Sequence, residues 1–244
     1  MDGRNNSVLN LVVLFPDLLG TYGDGGNAAV LATRARARDI EVRVSEVTIG
    51  EEIPEASLYL LGGGEDGPQR LACDLLKDGG FVDRVAGGAA VFAVCAGLQI
   101  LGTSFAIEGD ATYPGLGLVD AVTTRGRVRS VGDMASRVGE RMLVGFENHG
   151  GVTTLGPGVG ALGTVLVGRG NDGVADGYRT PGIWATYAHG PVLALNPWLA
   201  DEVLVELSGE PAAPWESVAD RLYAERCATI NSRRSDAARI RGSR

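Results

Sequence analysis

Cysteine is scarce in this 244-residue sequence: Cys73, Cys95 and Cys227 are the whole supply, and they lie far apart. Such spacing provides neither a disulfide framework nor the paired ligands of a zinc site. Histidine is scarcer still, with His149 and His189 alone. No stretch approaches the roughly 18 uncharged apolar residues of a membrane span. The apolar run at 8–15 is too short, and Pro16-Asp17 follows it instead of a cleavage site. A cytoplasmic protein is expected. Positive charge is in deficit, with a formal net charge of −8, which argues against nucleic acid as the main partner. The sequence also has no proline- or serine-rich linker and no internal repeat. Hydrophobic residues make up 45% of the chain, ample for a core, and 37 glycines are scattered in short turns. The expectation is one α/β domain over 1–230, with a mixed, mostly parallel central sheet flanked by helices. A basic, flexible tail is expected at 231–244, where five arginines meet one aspartate.

What the chain does have is organised around residues 88–102, Gly-Ala-Ala-Val-Phe-Ala-Val-Cys-Ala-Gly-Leu-Gln-Ile-Leu-Gly. Ala90 to Val94 form an uncharged strand that runs straight into Cys95. Ala93, Ala96 and Gly97 leave room for a sharp turn, and Leu98-Gln99-Ile100-Leu101 starts a helix. A strand, a tight turn and a helix would hold the sulfur above the sheet edge, as in a nucleophile elbow. The positive end of that helix is expected to lower the thiol pKa. The plain alternative is a buried cysteine closing a core strand.

Elsewhere the pattern alternates strand and helix. Residues 8–15 suit a central parallel strand, followed by the glycine-rich loop 20–27 and a helix over 28–38. That loop lacks the P-loop ending and the dinucleotide glycine spacing, so it reads as a structural turn. Residues 41–47 alternate as an edge strand, and 58–61 form a buried one ending in Gly62-Gly63-Gly64-Glu65-Asp66. These glycines expose backbone N–H groups at a strand's carboxyl end, where ligands of open α/β sheets gather. A helix over 68–77 contains Cys73, which reads as structural. From about 115 to 184 come short β-like runs without a long helix. Among them Arg125, Arg127 and Arg129 form either a solvated strand face or a cationic loop for a substrate carboxylate. The strand 183–188 ends in His189-Gly190-Pro191. Asn196 is expected to cap the next helix, with Pro197 at its first position and Gly209 past its end. In a last helix over 214–230, Ala219, Leu222, Tyr223, Cys227 and Ile230 share one stripe, so Cys227 also reads as a packing residue.

A cysteine nucleophile needs a base. His149 and His189 each follow a strand, so spacing leaves both open. Taken together, the elbow, the 22–27 loop, the 62–66 loop, residues 129–133, Gly145-Phe146-Glu147-Asn148-His149-Gly150-Gly151 and His189-Gly190-Pro191 resemble the class I (triad-type) glutamine amidotransferases of the cobyric-acid-synthase-like branch. Within that branch they are most similar to the GatD family, the glutaminase subunits of lipid II isoglutaminyl synthases. The resemblance implies that Cys95 attacks the glutamine side-chain amide and that His189 protonates the departing ammonia and then activates water. It implies an oxyanion site from the Ala96 N–H and one in Gly63-Gly64. Arg129 matches the family's substrate-binding arginine, and Gln99 is a further candidate contact. No metal or cofactor is expected in this chain. In the family, ammonia passes to a MurT-like Mur ligase partner, which uses ATP and Mg to amidate the D-glutamate of lipid II at the inner face of the membrane. The arginines of the tail are a candidate contact with that surface.

Two departures stand out. Pro191 occupies the position two after the histidine where many triad-type enzymes carry glutamate, and Ala93 replaces the glycine usual two before the cysteine. Alanine is tolerable there if its φ is negative. Asp17, Asp24 and Glu147 are internal candidates for the orienting acid, but a carboxylate from the ligase partner is the expectation. Competing readings are an amidotransferase domain serving another acceptor, or a non-catalytic scaffold that positions a ligase.

Overall fold

A computed structural model describes residues 8–108, 111–211 and 213–242, with side chains as far as residue 234. The first half of the chain runs β1 (Leu9–Leu14), α1 (Pro16–Leu19), α2 (Gly26–Arg36), β2 (Val42–Val47), β3 (Leu58–Leu61), α3 (Asp66–Asp78), α4 (Phe81–Ala86), β4 (Ala90–Val94) and α5 (Ala96–Leu101). Then come β5 (Ser104–Ala106), β6 (Thr112–Pro114), β7 (Ala121–Val138), β8 (Arg141–Leu155), β9 (Gly163–Val167), β10 (Ala175–Asp176), β11 (Tyr178–Thr180) and β12 (Ile183–Thr186). Three helices follow: α6 (Val192–Leu195), α7 (Pro197–Ser208) and α8 (Val218–Gly242).

The central sheet has the order β11-β12-β4-β3-β1-β2 and is parallel except at β11. Helices cover it, so β3, β4 and β12 are buried at every position, and their sequences are continuous apolar runs. The edge strand β2 keeps only its end residues Val42 and Val47 buried and alternates with charge between them. The core is built from these strands together with residues such as Leu31, Phe81, Tyr178 and Leu199.

A second sheet was not legible in the sequence. The strand-like region after Cys95 does not join the central sheet, apart from β11 and β12. It folds into β10-β9-β7-β5-β6, with β8 pairing β7 over a long antiparallel hairpin. The hairpin's glycine-punctuated alternation looks like several short strands. Its register shifts between Arg125 and Ser130, and there the chain bulges away from β8.

Other departures are local. Asn196 precedes α7, but its side chain makes no cap. Instead Oδ1 accepts from the Val144 N–H and Nδ2 donates to the Val144 and Val192 carbonyls, tying α6 to β8. Gly209 ends α7 with a left-handed φ of 70°, as its position predicts. Tyr223, Cys227 and Ile230 pack against Ala135, Met142 and Val144, whereas Leu222 of the same expected stripe is exposed. The final helix continues to Gly242, where the sequence suggests a flexible tail from residue 231. Alanine and arginine are good helix formers, and α8 has only to extend. The side chains of 235–244, on which the membrane-contact expectation mostly falls, lie outside the described residues.

Candidate active site

Adjacent parallel strands deliver the two principal side chains. β4 and β12 pair with Val94 opposite Thr186, so Cys95 and the segment 187–189 leave the same carboxyl edge. The Cys95 N–H still donates to the Thr186 carbonyl at 2.9 Å, which locks the two strand ends together. At Cys95 the backbone turns to φ 52°, ψ −104°, a conformation that L residues rarely adopt, and α5 starts at the next residue. Ala93 is not among the residues with positive φ, so alanine is accommodated there. Gly97 fits because a Cβ would come within 2.6 Å of Leu61 Cβ.

His189 is 2% exposed, and its ring orientation is settled by a residue from the first loop. Its Nδ1 lies 2.9 Å from Asp24 Oδ2, in a carboxylate that is itself 2% exposed. With Nδ1–H donated to Asp24, Nε2 is left as the ring's acceptor, buried and without a hydrogen-bond partner among the described residues. Asp24, one of the internal candidates, thus holds the nitrogen for which a partner's carboxylate was expected. Of the other internal candidates, Asp17 accepts from the Ile49 N–H. Glu147 accepts from the Arg169 and Gly170 N–H groups and faces His149 Nε2 at 3.3 Å. Tyr22, from the same loop as Asp24, sets its ring 4.3 Å from that of His189. The loop that reads as a plain turn therefore supplies two members of the site. A glycine-rich sequence carries no mark of a histidine 165 residues away.

His149, the alternative base, is occupied elsewhere. Its Nδ1 faces the Gly151 carbonyl at 3.0 Å, its Nε2 faces Glu147, and its ring stacks on Tyr187 at 3.9 Å.

The Cys95 thiol is not acidified, against the expectation from the helix terminus. Burial and the nearby charge of Asp24 push it up to about 12, outweighing the Ala96 N–H and Arg129, which act downward. The sulfur therefore rests as a thiol.

Above the sulfur is a cleft lined by residues that include Gly64, Glu65, Gln99, Arg129 and Asn148. Arg129 donates from Nε to Asn148 Oδ1 at 2.7 Å and from Nη2 to the Tyr22 hydroxyl at 3.2 Å. Arg125 is bound to Asp66 at 2.6 Å, and Arg127 is exposed. Gln99 lines the cleft, but its amide is already bonded to Gln69 and to the Tyr187 hydroxyl, so it shapes the wall. Of the two candidate glycines, Gly63 has its N–H committed to Asp24 Oδ2 at 2.9 Å. A Cβ on Gly63 would also meet His189 Cε1 at 2.5 Å, so this position needs glycine for close approach. Gly64 is the one that faces the cleft. Among the described residues no group of three or more His, Cys, Asp or Glu side chains could hold a metal ion, and no helix is long and apolar enough to cross a membrane.

A CobB/CobQ-like glutamine amidotransferase domain matches residues 10–197. The chain is 32% identical over 215 residues to the GatD subunit of lipid II isoglutaminyl synthase (glutamine-hydrolyzing) of Staphylococcus aureus strain N315, covering 85% of this chain and 88% of that one. The counterpart from Streptococcus pneumoniae strain ATCC BAA-255 / R6 is 31% identical over 208 residues, 82% of this chain and 80% of its own. A cobyric acid synthase of Pelotomaculum thermopropionicum aligns at 31% over 171 residues, 61% of this chain but 32% of its own length. Among solved structures, a glutamine amidotransferase shares the fold with a TM-score of 0.57 at 24% identity, covering 82% of this chain and 99% of that one. With its elbow, its strand-edge histidine and a domain match over most of its length, the chain is an amidotransferase and belongs to the CobB/CobQ-like glutamine amidotransferase family.

Proposed function

We propose that the chain is the glutaminase subunit of an enzyme that amidates lipid II, with Cys95, His189 and Asp24 as its catalytic line. The observation that carries the catalytic part is the buried His189–Asp24 pair, with His189 and Cys95 following the ends of adjacent parallel strands. Cys95 Sγ attacks the side-chain amide carbon of L-glutamine while its proton passes to His189 Nε2. The oxyanion is held by the N–H groups of Ala96 and Gly64. When the C–N bond breaks, His189 returns the proton to the departing ammonia and a thioester remains. A water molecule, deprotonated by His189, then attacks the thioester, and glutamate leaves as the thiol regains its proton. Asp24 holds the ring in the tautomer that keeps Nε2 available and stabilises the imidazolium formed in each half. Arg129 pairs with the glutamine α-carboxylate.

The acceptor is read from the relatives, since two lipid II isoglutaminyl synthase subunits match over most of both lengths. In this reading the ammonia passes to a MurT-like ligase at the inner face of the membrane. That partner, rather than this chain, uses ATP and Mg to activate the α-carboxyl of D-glutamate in lipid II, giving D-isoglutamine.

The test is glutamate release from glutamine by the full-length chain with and without its ligase. Cys95→Ala should abolish it, and a diazo-ketone glutamine analogue should label Cys95 alone. Retained hydrolysis in the variant, or labelling chiefly at Cys73 or Cys227, removes the catalytic reading. Transfer of the ammonia to an acceptor other than lipid II removes the acceptor.

A further inference from the structure

Two acid–base pairs line the cleft above Cys95, and they differ in one respect. Arg125 and Asp66 are closed on each other, Nη2 to Oδ2, at 2.6 Å. Arg129 and Glu65 stand open at 3.8 Å. The Tyr22 hydroxyl bridges this second pair, accepting from Arg129 Nη2 at 3.2 Å and donating to Glu65 Oε1 at 3.3 Å. Asn148 fixes the other side of the guanidinium. Both charged ends are thus aimed without being consumed by each other, and both side chains stay about half exposed, at 48% and 59%.

Glu65 also has no other assignment in the fold. It occupies the N-cap position of α3 but makes no capping hydrogen bond with its side chain. A carboxylate at a helix start usually satisfies one of the free N–H groups there. This one instead lines the cleft. Its neighbour Asp66 is the carboxylate closed by Arg125.

Free L-glutamine carries an ammonium and a carboxylate on a single carbon. An arginine and a glutamate held side by side as a long ion pair without a direct hydrogen bond match that zwitterion. Building on the glutaminase reading above, we infer that Glu65 is a specificity-determining residue that takes the α-ammonium of glutamine while Arg129 takes the α-carboxylate. The site thereby admits the free amino acid and discriminates against amides that lack the ammonium or carry it acylated. Tyr22 sets the separation of the two charges, and through its ring contact with His189 the same residue touches the catalytic line.

The experiment compares L-glutamine with glutaramic acid, the same molecule without its amino group, as substrates of the full-length chain with its ligase. The wild-type enzyme should use glutaramic acid with a kcat/KM about 10- to 100-fold lower, the range of a hydrogen bond to a charged group. Glu65→Gln should lower kcat/KM for glutamine by a similar factor, chiefly through KM, and leave glutaramic acid within twofold. Glu65→Asp should recover part of the loss. If glutaramic acid is turned over too slowly to follow, its inhibition constant against glutamine serves instead and should be unchanged by Glu65→Gln. An equal loss on both compounds, or no loss on glutamine, overturns the assignment while leaving the glutaminase reading intact. Failure of the wild-type complex to hydrolyse glutamine overturns both.

Discussion

At the scale of single residues, the catalysis proposed above depends on which nitrogen of His189 is left open. Asp24 Oδ2 serves two donors, His189 Nδ1–H and the Gly63 N–H, and both are backed by buried surroundings. Asp24→Asn is nearly isosteric, and its amide oxygen, placed where Oδ2 sits, can still accept from both. The imidazolium formed when the ring takes the thiol proton then loses its counter-charge. The expected outcome is a kcat lower by about 10²- to 10⁴-fold, the usual range for losing general acid–base catalysis, with little change in KM. Steady-state kinetics of the complex, with thermal melting as the check on folding, measures this. A variant with near wild-type kcat would return the role of orienting acid to a partner carboxylate.

At the scale of elements, the two sheets are joined by a buried aspartate. Asp176 of β10 accepts from Thr186 Oγ1 of β12, from Ser136 Oγ of β7 and from the Tyr187 N–H. Burial pushes its carboxyl up from the usual 3.8 to about 6, although these donors and the charge of His149 act downward. Because the folded value is the higher one, the protonated form favours folding. That contribution is full below pH 3.8 and is lost as pH rises through about 6. A shift of about two units corresponds to about 3 kcal/mol. Asp176→Asn removes the titration, so its unfolding free energy should fall less than that of the wild-type protein between pH 4 and pH 7. Urea denaturation at several pH values gives the difference, and parallel curves for the two proteins would contradict the assignment. The same hydrogen bonds explain why β12 reaches His189 in fixed register with the hairpin that carries Arg129.

At the scale of the whole molecule, the far side of the sheet is held by Arg34. Its guanidinium, 3% exposed, binds Asp201 of α7 at 2.6 and 2.7 Å and Asp220 of α8 at 3.3 Å, with Trp215 packed 5.0 Å from it. One side chain of α2 thus anchors both C-terminal helices. Arg34→Ala leaves Asp220 without its cation, while Asp201 keeps Arg38, 2.9 Å from its Oδ2. Asp201 and Asp220 keep 22% and 27% exposure, so water recovers part of the loss. A destabilisation of about 2–3 kcal/mol is expected, below the range for fully buried pairs. Chemical denaturation should show it, while kcat of the folded variant stays near the wild-type value because Cys95 and His189 sit on other elements.

The sequence by itself determined the central α/β sheet and the elbow at Cys95. Each of these rests on local patterning: buried parallel strands are continuous apolar runs, and a sharp turn needs small residues beside the nucleophile. Local patterning left the base open between His149 and His189 and did not separate Arg129 from Arg125 and Arg127, and the acid was expected from a partner, with Asp24 among the internal candidates. Tertiary structure separates the surroundings of these candidates. Asp24 and His189 are 165 positions apart, and only the closure of β1 and β12 onto one sheet edge brings them within a hydrogen bond. Arg125 and Arg129 flank the bulge in β7 and both line the cleft, but one is closed on Asp66 and the other is held by Asn148 and Tyr22 with Glu65 at 3.8 Å. The thiol's pKa was decided in the same way, because desolvation depends on everything packed around Cys95 whereas the helix start is visible within four residues. Local periodicity fixes elements; charge pairing, burial and the second sheet arise from contacts between residues far apart in the chain, and no short window of sequence contains them.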